Sequence, residues 1–304
     1  MNRGKTRKRG VVSVYNVPAY VINMRERQDR WERFTEQPVV KEFKKLRKSV
    51  AINGQTLDPI HDKRISLHTK LNIFRNYRRS HPEIATLGAV GSSLSHIDVW
   101  KKFVSSGEQV CLVLEDDVIL TKSQLDHVNE LIPTLPHDWG MWILGFYRPN
   151  LISQLLTMKP WHKVYNFTAA HAYLLSREVA IKLLEEPFPV ETHIEYYMTG
   201  SSILKKFNIL YHPDIHIEFF QKKKVAKSAT TTTDSNTSQH KKAGCPSCNT
   251  PEDYTQLYES PTRKNSKGIF VKGLIHGHQV NKILTLKRGA TRKKSGGITL
   301  YKNL

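Results

Sequence analysis

The segment QVCLVLEDDVIL, at positions 109–120, restricts the possible folds of this chain more than any other. Residues 110–114 are apolar without alternation, and three consecutive acids, Glu115, Asp116 and Asp117, interrupt the run. An unbroken apolar run is typical of a strand covered on both faces, as in the middle of a parallel sheet. The segment therefore predicts an inner strand with a cluster of negative charge at its carboxyl end.

Other segments alternate between the strand and helix patterns. A Val- and Tyr-rich strand is expected to end at Asn23, and Asn53-Gly54 is predicted as a turn pair that tolerates positive φ. Further strands are predicted at 50–52, 139–146 and 207–220, a strand passing into a helix at 171–186, and helices at 25–37, 94–104 and 123–136. This alternation predicts an α/β fold with a mostly parallel central sheet.

The formal charge of +20 is concentrated at the two ends of the chain. Residues 1–10 carry five Lys or Arg and no acid, and residues 221–304 carry 17 basic and four acidic residues. That leaves 25 basic and 23 acidic residues, a net charge of +2, for 11–220. We predict a basic tail at 1–10, a catalytic domain at 11–220, a disordered basic linker at 221–250 and a basic extension at 251–304.

The cysteine content and the hydropathy of the chain indicate the cellular compartment in which the protein is expected. The chain has three cysteines, Cys111, Cys245 and Cys248, too few for a disulfide framework. No stretch approaches the roughly 20 apolar residues of a membrane span, and no signal-type apolar region follows the basic N-terminus. We expect a cytoplasmic protein, with a secretory location left open. The Cys245-x-x-Cys248 pair supplies at most half of a zinc site.

The three acids suggest metal chemistry. On a strand, side chains two residues apart point the same way, so Glu115 and Asp117 are expected to converge while Asp116 faces the opposite side. Two hard oxygen ligands suit Mn²⁺ or Mg²⁺, with other positions left for water and phosphate oxygens. The alternative is a solvated turn or a helix N-cap, although three adjacent carboxylates repel each other unless a cation offsets them.

Four segments of the chain form an ordered set of motifs: YVINMRERQDRWERF, AINGQTL, GAVGSSLSHIDVWKKF and LVLEDDVIL. Two weaker ones follow, AAHAYLLSREVAIKLL and PFPVETHIEYYM. In these segments, and in their order, the chain resembles glycosyltransferase family 25, the lipooligosaccharide and procollagen-type galactosyl- and glucosyltransferases, over roughly residues 18–220. The resemblance implies a GT-A-like fold, a UDP-sugar donor, Mn²⁺ or Mg²⁺, and transfer of galactose or glucose to a glycan or protein hydroxyl, as in lipopolysaccharide biosynthesis or protein glycosylation.

The resemblance also assigns roles to individual residues. It implies that the acidic triplet holds the ribose and the metal, with Glu115 and Asp117 as metal ligands and Glu115 and Asp116 among the donor contacts. The other implied donor contacts are Asn23, Arg25, Arg30, Asn53, Ser95 and His96. A guanidinium such as that of Arg30 suits bidentate pairing with a diphosphate, although an Arg on this helix is also explained by a solvated face. A lone His on a helix is otherwise more often structural.

Family members are classed as inverting, which implies a group that takes the acceptor's proton. Where the family tends to have Pro-x-Asp, this chain has Pro189-Val190-Glu191, so Glu191 is the base candidate and His193 or Glu195 the alternatives. Asn53 also departs from the family's usual Asp.

Two competing functions remain open from the sequence. The charge favours a nucleic-acid-binding protein, or tails that bind an acidic surface or another polyanion with steep salt dependence. The changes at Asn53 and Glu191 favour a nucleotide-sugar binder that no longer catalyses.

Overall fold

The computed structural model describes residues 13–78, 80–147 and 160–220. The predicted tails at 1–10, 221–250 and 251–304, and with them Cys245 and Cys248, lie outside the described residues. None of the helices within the described ranges has the length and apolar character needed to cross a bilayer.

The described residues form two compact units. Among the described residues, the first comprises 13–52, 95–147, 160–185 and 202–220, and the second comprises 53–78, 80–94 and 186–201. Each unit is held together by its own contacts, and the first contains every strand of the molecule's two sheets among the described residues.

The strands of the first unit form one seven-stranded sheet and one two-stranded ribbon. In the main sheet the order is β2-β1-β3-β7-β5-β8-β6, and β4 pairs with β9 in the ribbon. The strands are β1 Ala19–Asn23, β2 Leu46–Val50, β3 Val110–Glu115, β4 Val118–Ile119, β5 Trp139–Tyr147, β6 His162–Lys163, β7 Thr168–Ser176, β8 Asn208–Tyr211 and β9 Glu218–Phe219.

The main sheet is mixed. Strand β1 runs parallel to β2 and to β3, and β5 runs parallel to β8, whereas β7 is antiparallel to both β3 and β5. With helices between the strands, this confirms the predicted α/β, GT-A-like fold. The antiparallel insertion of β7 is the detail that strand patterns alone did not contain.

Helices connect these strands and build much of the second unit. They are α1 Gln28–Thr35, α2 Leu67–Arg75, α3 Leu87–Ser105, α4 Lys122–Leu131, α5 Arg177–Leu183, α6 Ile194–Met198 and α7 Ser201–Leu204, with 3₁₀ turns at Pro38–Glu42, Gly54–Thr56 and Ile132–Thr134. Local sequence fixes several starts. Thr121 forms a capping box with Gln124 at the start of α4, and Ser176 caps α5 through the amide of Val179.

The core of the first unit forms around β3, whose residues from Cys111 to Leu114 are fully buried. This confirms the unbroken apolar run as an inner strand. Trp100 and Trp142 are also fully buried, and each such aromatic side chain contributes about 2–3 kcal/mol of burial free energy.

Three local predictions differ from the structure. Strand β2 ends at Val50, where the sequence placed a strand at 50–52. The last strand pair, predicted at 207–220, is divided between the two sheets, because β8 joins the main sheet and β9 pairs with β4. Asn53 has φ −73° and caps a 3₁₀ turn through the amide of Gln55.

Gly54 owes its identity to packing within the second unit. A Cβ at this position would lie 2.0 Å from the carbonyl oxygen of Leu87 and 2.8 Å from the amide nitrogen of Gly88. The backbone at the start of α3 therefore passes where any side chain on residue 54 would stand. Close approach of two backbones, and not positive φ, is the reason for this glycine.

Candidate functional site

The carboxyl ends of β1 and β3 lie side by side in the first unit. The two strands are parallel, with Ile22 in register with Glu115, so Asn23 and the acidic triplet meet at the same edge of the sheet. In open α/β sheets, ligands bind outside the carboxyl ends of the strands. The fold therefore gathers the predicted residues at a position suited to ligand binding.

The acidic triplet does not follow strand alternation, because β3 ends at Glu115 and a turn carries Asp116 and Asp117. Arg30 binds both aspartates: Nη1 donates to Asp116 Oδ1 at 2.7 Å and Nη2 to Asp117 Oδ2 at 3.1 Å. The expectation that Asp116 faces away from Asp117 is wrong for this reason. The amide of Phe220 also donates to the Asp117 carbonyl at 2.7 Å, which holds the turn in place.

Asn23 completes this cluster from the end of β1. It is 1 % exposed, and its Nδ2 donates to Asp116 Oδ2 at 2.6 Å and to the Arg27 carbonyl at 3.0 Å. Its Oδ1 has no hydrogen-bond partner within the described part of the chain. Asn23, Arg30, Asp116 and Asp117 thus form one contiguous polar network.

Burial dominates the electrostatics of the two aspartates. Desolvation, followed by the charge of Glu115, raises the pKa of Asp117 to about 7, although Arg30 opposes the shift. Desolvation also raises the pKa of Asp116, against the lowering effects of Arg30 and of the Asn23 hydrogen bond. A positive charge brought close to this turn would therefore stabilise the ionised carboxylates.

Glu115 has a different environment. Its side chain is 36 % exposed, and Oε1 lies 3.5 Å from Nε2 of His96, which is 1 % exposed. Burial raises the pKa of Glu115, but the hydrogen bond from His96 and the charges of nearby basic groups, Arg30 among them, together outweigh it, so the net pKa is lowered. Glu115 is thus the acid of the triplet that combines negative charge with access to solvent.

The carboxylates of Glu115 and Asp117 are ligands of the chemical type that a hard cation binds. Asp117 Oδ1 is buried and has no hydrogen-bond partner among the described residues, and Glu115 has an accessible carboxylate. Carboxylate oxygens are the ligands Mg²⁺ and Mn²⁺ take, usually one or two from protein with the rest from water and phosphate. Within the described ranges no three His, Cys, Asp or Glu side chains form a metal-binding group.

The other predicted donor contacts have individual local roles. Ser95 Oγ accepts a hydrogen bond from the amide of Ile52 at 2.8 Å. Arg25 is exposed in the loop between β1 and α1. Asn53 lies in the second unit, where it caps its 3₁₀ turn. Donor contact by these three residues stays a prediction.

Glu191 and His193 lie in the second unit. Glu191 is 6 % exposed, and desolvation raises its pKa to about 8; a hydrogen bond with Ser66 opposes this shift and the charge of Glu83 adds to it. Its Oε2 has no hydrogen-bond partner among the described residues. His193 is partly buried, with Nε2 3.4 Å from Arg78 Nη1.

The sequence did not identify two residues that lie beside predicted site residues, one near Glu191 in the second unit and one near His96 in the first. In the second unit Glu83 is fully buried and accepts a hydrogen bond from Asn72 at 3.1 Å. In the first, Tyr173 on β7 contacts His96 through its hydroxyl. Trp100, four residues after His96 on one helix, could have been found by helical spacing, whereas the long-range partner Tyr173 carried no local signal.

Comparison with known proteins agrees with this geometry. The fold and the acidic turn at the sheet edge define a domain of the glycosyltransferase class. The chain belongs to glycosyltransferase family 25, described as "LPS biosynthesis protein", whose model matches residues 16–198. The matched range contains Asn23, Arg30, the acidic triplet and Glu191.

Two relatives are similar over part of their length. Procollagen galactosyltransferase 1 of Danio rerio is 26 % identical over 171 residues, which is 54 % of this chain and 28 % of that protein. Procollagen galactosyltransferase 2 of Homo sapiens is 28 % identical over 129 residues, 41 % of this chain and 20 % of that protein. The similar region therefore spans less than a third of either relative.

Proposed function

We propose that this chain transfers a hexose from a UDP-sugar to an acceptor hydroxyl on a glycan or a protein, with inversion and with Mn²⁺ or Mg²⁺. The observation that carries the proposal is the turn at the end of β3, where a partly exposed Glu115 adjoins a buried Asp116 and a partly buried Asp117. Arg30 binds both aspartates, and Asn23 also binds Asp116. Membership of a glycosyltransferase family supports the reaction class. The names of the two relatives favour galactose as the sugar.

Glu115 and Asp117 would hold the divalent cation. When bound, such a cation supplies Lewis-acid stabilisation of the negative charge that develops on the departing nucleoside diphosphate. Asp116 is occupied on both oxygens, by Arg30 and Asn23, so its role is to hold Arg30 in position.

Arg30 would serve the diphosphate as well as the aspartates. Its side chain is 23 % exposed, and its guanidinium already spans two carboxylates with two nitrogens, the geometry that also fits two phosphate oxygens. Stabilising the leaving group by preorganised charge requires such a donor to be fixed before the reaction. Asp116 and Asp117 fix it.

Glu191 is the proposed base for the acceptor's proton. With a pKa raised to about 8 it is a stronger base than an ordinary glutamate, but it is mostly protonated at neutral pH. Transfer is therefore expected to rise with pH up to about 8. If Glu191→Gln keeps this pH profile, the role passes to His193.

The test is turnover by the full chain. Purified protein is given UDP-galactose or UDP-glucose with Mn²⁺, Mg²⁺ or chelator, together with glycan and peptide acceptors, and UDP release and product are measured. Asp117→Asn should abolish release, whereas Asp126→Asn, on the exposed face of α4, should retain it. Absence of both donor binding and turnover in the unsubstituted protein, with every donor and metal, would refute the proposal.

A further inference from the structure

A chain of polar contacts runs from Trp100 through Tyr173 and His96 to Glu115 in the first unit. Trp100 Nε1 donates to Tyr173 Oη at 2.9 Å, and Tyr173 Oη lies 2.9 Å from His96 Nδ1. His96 Nε2 in turn lies 3.5 Å from Glu115 Oε1. Trp100 and Tyr173 are fully buried and His96 is 1 % exposed, so no solvent competes for the hydrogen bonds among these three residues.

The fold brings these four side chains together from two directions. Tyr173 on β7 pairs with Val113 on β3, two residues before Glu115, so the side chains of Tyr173 and Glu115 leave the same face of the sheet. His96 and Trp100 are four residues apart on α3, and so they project from the same side of that helix. The ring of His96 also stacks on Tyr173, with centroids 5.8 Å apart.

The direction of each hydrogen bond follows from what each group can do. An indole N–H can only donate, so Tyr173 Oη is the acceptor from Trp100. The single hydroxyl proton of Tyr173 then has His96 Nδ1 as its acceptor, and the described residues provide no other. If Nδ1 carried a proton instead, the Tyr173 hydroxyl would be a buried donor without an acceptor, which is costly.

His96 is therefore the neutral imidazole with its proton on Nε2, directed at Glu115. We propose that Trp100 and Tyr173 are positioning residues that fix this tautomer of His96, so that an uncharged N–H orients the Glu115 carboxylate for the donor. This N–H orients the carboxylate and leaves the second carboxylate oxygen available to a cation or a ribose hydroxyl.

The inference rests on the proposed function for the role of Glu115, but the order of the hydrogen bonds does not. In the unliganded full chain, with ¹⁵N-labelled histidine and His96→Gln to assign the signal, nuclear magnetic resonance should show a proton on Nε2 and none on Nδ1. Tyr173→Phe should remove the single tautomer. Tyr20→Phe, which deletes a buried hydroxyl bonded to Arg47 on the same sheet, should leave the signal unchanged.

Donor binding supplies the second measurement. In titrations of UDP-galactose with Mn²⁺, Tyr173→Phe should bind about fivefold to tenfold more weakly, the net effect of one lost hydrogen bond, while Tyr20→Phe binds as the unsubstituted protein does. A proton on Nδ1 of His96, or equal donor affinity for Tyr173→Phe and Tyr20→Phe, would overturn the inference. An unsubstituted protein that binds no UDP-sugar while its His96 carries the proton on Nε2 would instead refute the proposed function.

Discussion

Replacing Glu191 with glutamine should stabilise the protein relative to the unsubstituted chain, and this advantage should grow as the pH rises. The carboxyl is 6 % exposed, and its pKa is raised from 4.5 to about 8, chiefly by desolvation. Below about pH 4.5 the group is protonated in both the folded and the unfolded chain. Between about pH 4.5 and 8 the unfolded chain loses this proton while the folded protein keeps it, so the unsubstituted protein loses stability with rising pH.

The size of the effect follows from the pKa difference. At about 1.4 kcal/mol per pH unit, the free energy of unfolding of the unsubstituted protein falls by about 5 kcal/mol over the whole interval, and by about 3 kcal/mol between pH 5 and 7.5. Glutamine has nearly the same shape and does not titrate. The stability of Glu191→Gln relative to the unsubstituted protein should therefore grow by about 3 kcal/mol between these two pH values.

Urea denaturation followed by circular dichroism at pH 5 and pH 7.5 measures the difference. Glu130→Gln, at a 72 % exposed side chain on α4, controls for the chemistry of the substitution and should change stability by less than about 0.5 kcal/mol at either pH. A constant difference between Glu191→Gln and the unsubstituted protein, or one that shrinks as pH rises, would show that burial does not control this carboxyl.

Three further substitutions test packing and the polar network. Gly54→Ala should destabilise the protein by more than about 3 kcal/mol in thermal unfolding, because the new Cβ meets the backbone carbonyl of Leu87 at 2.0 Å. Arg30→Met should lower the free energy of unfolding by about 2–4 kcal/mol at pH 8 and by less at pH 5, because protonation at the lower pH removes the uncompensated negative charge of Asp116 and Asp117. Equal losses at the two pH values would contradict this reasoning. Ser95→Ala should lower the free energy of unfolding, measured by urea titration, by about 1–2 kcal/mol, because it removes the acceptor of the Ile52 amide. An unchanged free energy of unfolding would show that another acceptor replaces the Ser95 hydroxyl.

Local sequence carried much of the fold because its signals are short-range. The apolar run before Glu115 identified the central strand, and the spacing around Trp31 and Phe34 identified α1. The acidic triplet and the Arg-rich segment before it in the chain were both visible in the sequence, and the structure joins them through Arg30. These predictions depend on which residues are adjacent or one helical turn apart, and that information is present in the linear chain.

The detailed geometry of the site depends on contacts between distant parts of the chain. Strand β7 enters between β3 and β5 and brings Tyr173 to His96, 77 residues away in sequence. Arg30 bridges Asp116 and Asp117 because a turn, and not a continued strand, follows Glu115.

The sequence by itself determined the class of fold, its central strand and the residue types that lie at the end of that strand. The tertiary structure alone decided which carboxylate is partly exposed, which carboxylates Arg30 binds, and which tyrosine is hydrogen-bonded to His96. The physical reason is that burial and hydrogen-bond direction depend on every group packed around an atom, and most of those groups come from elsewhere in the chain.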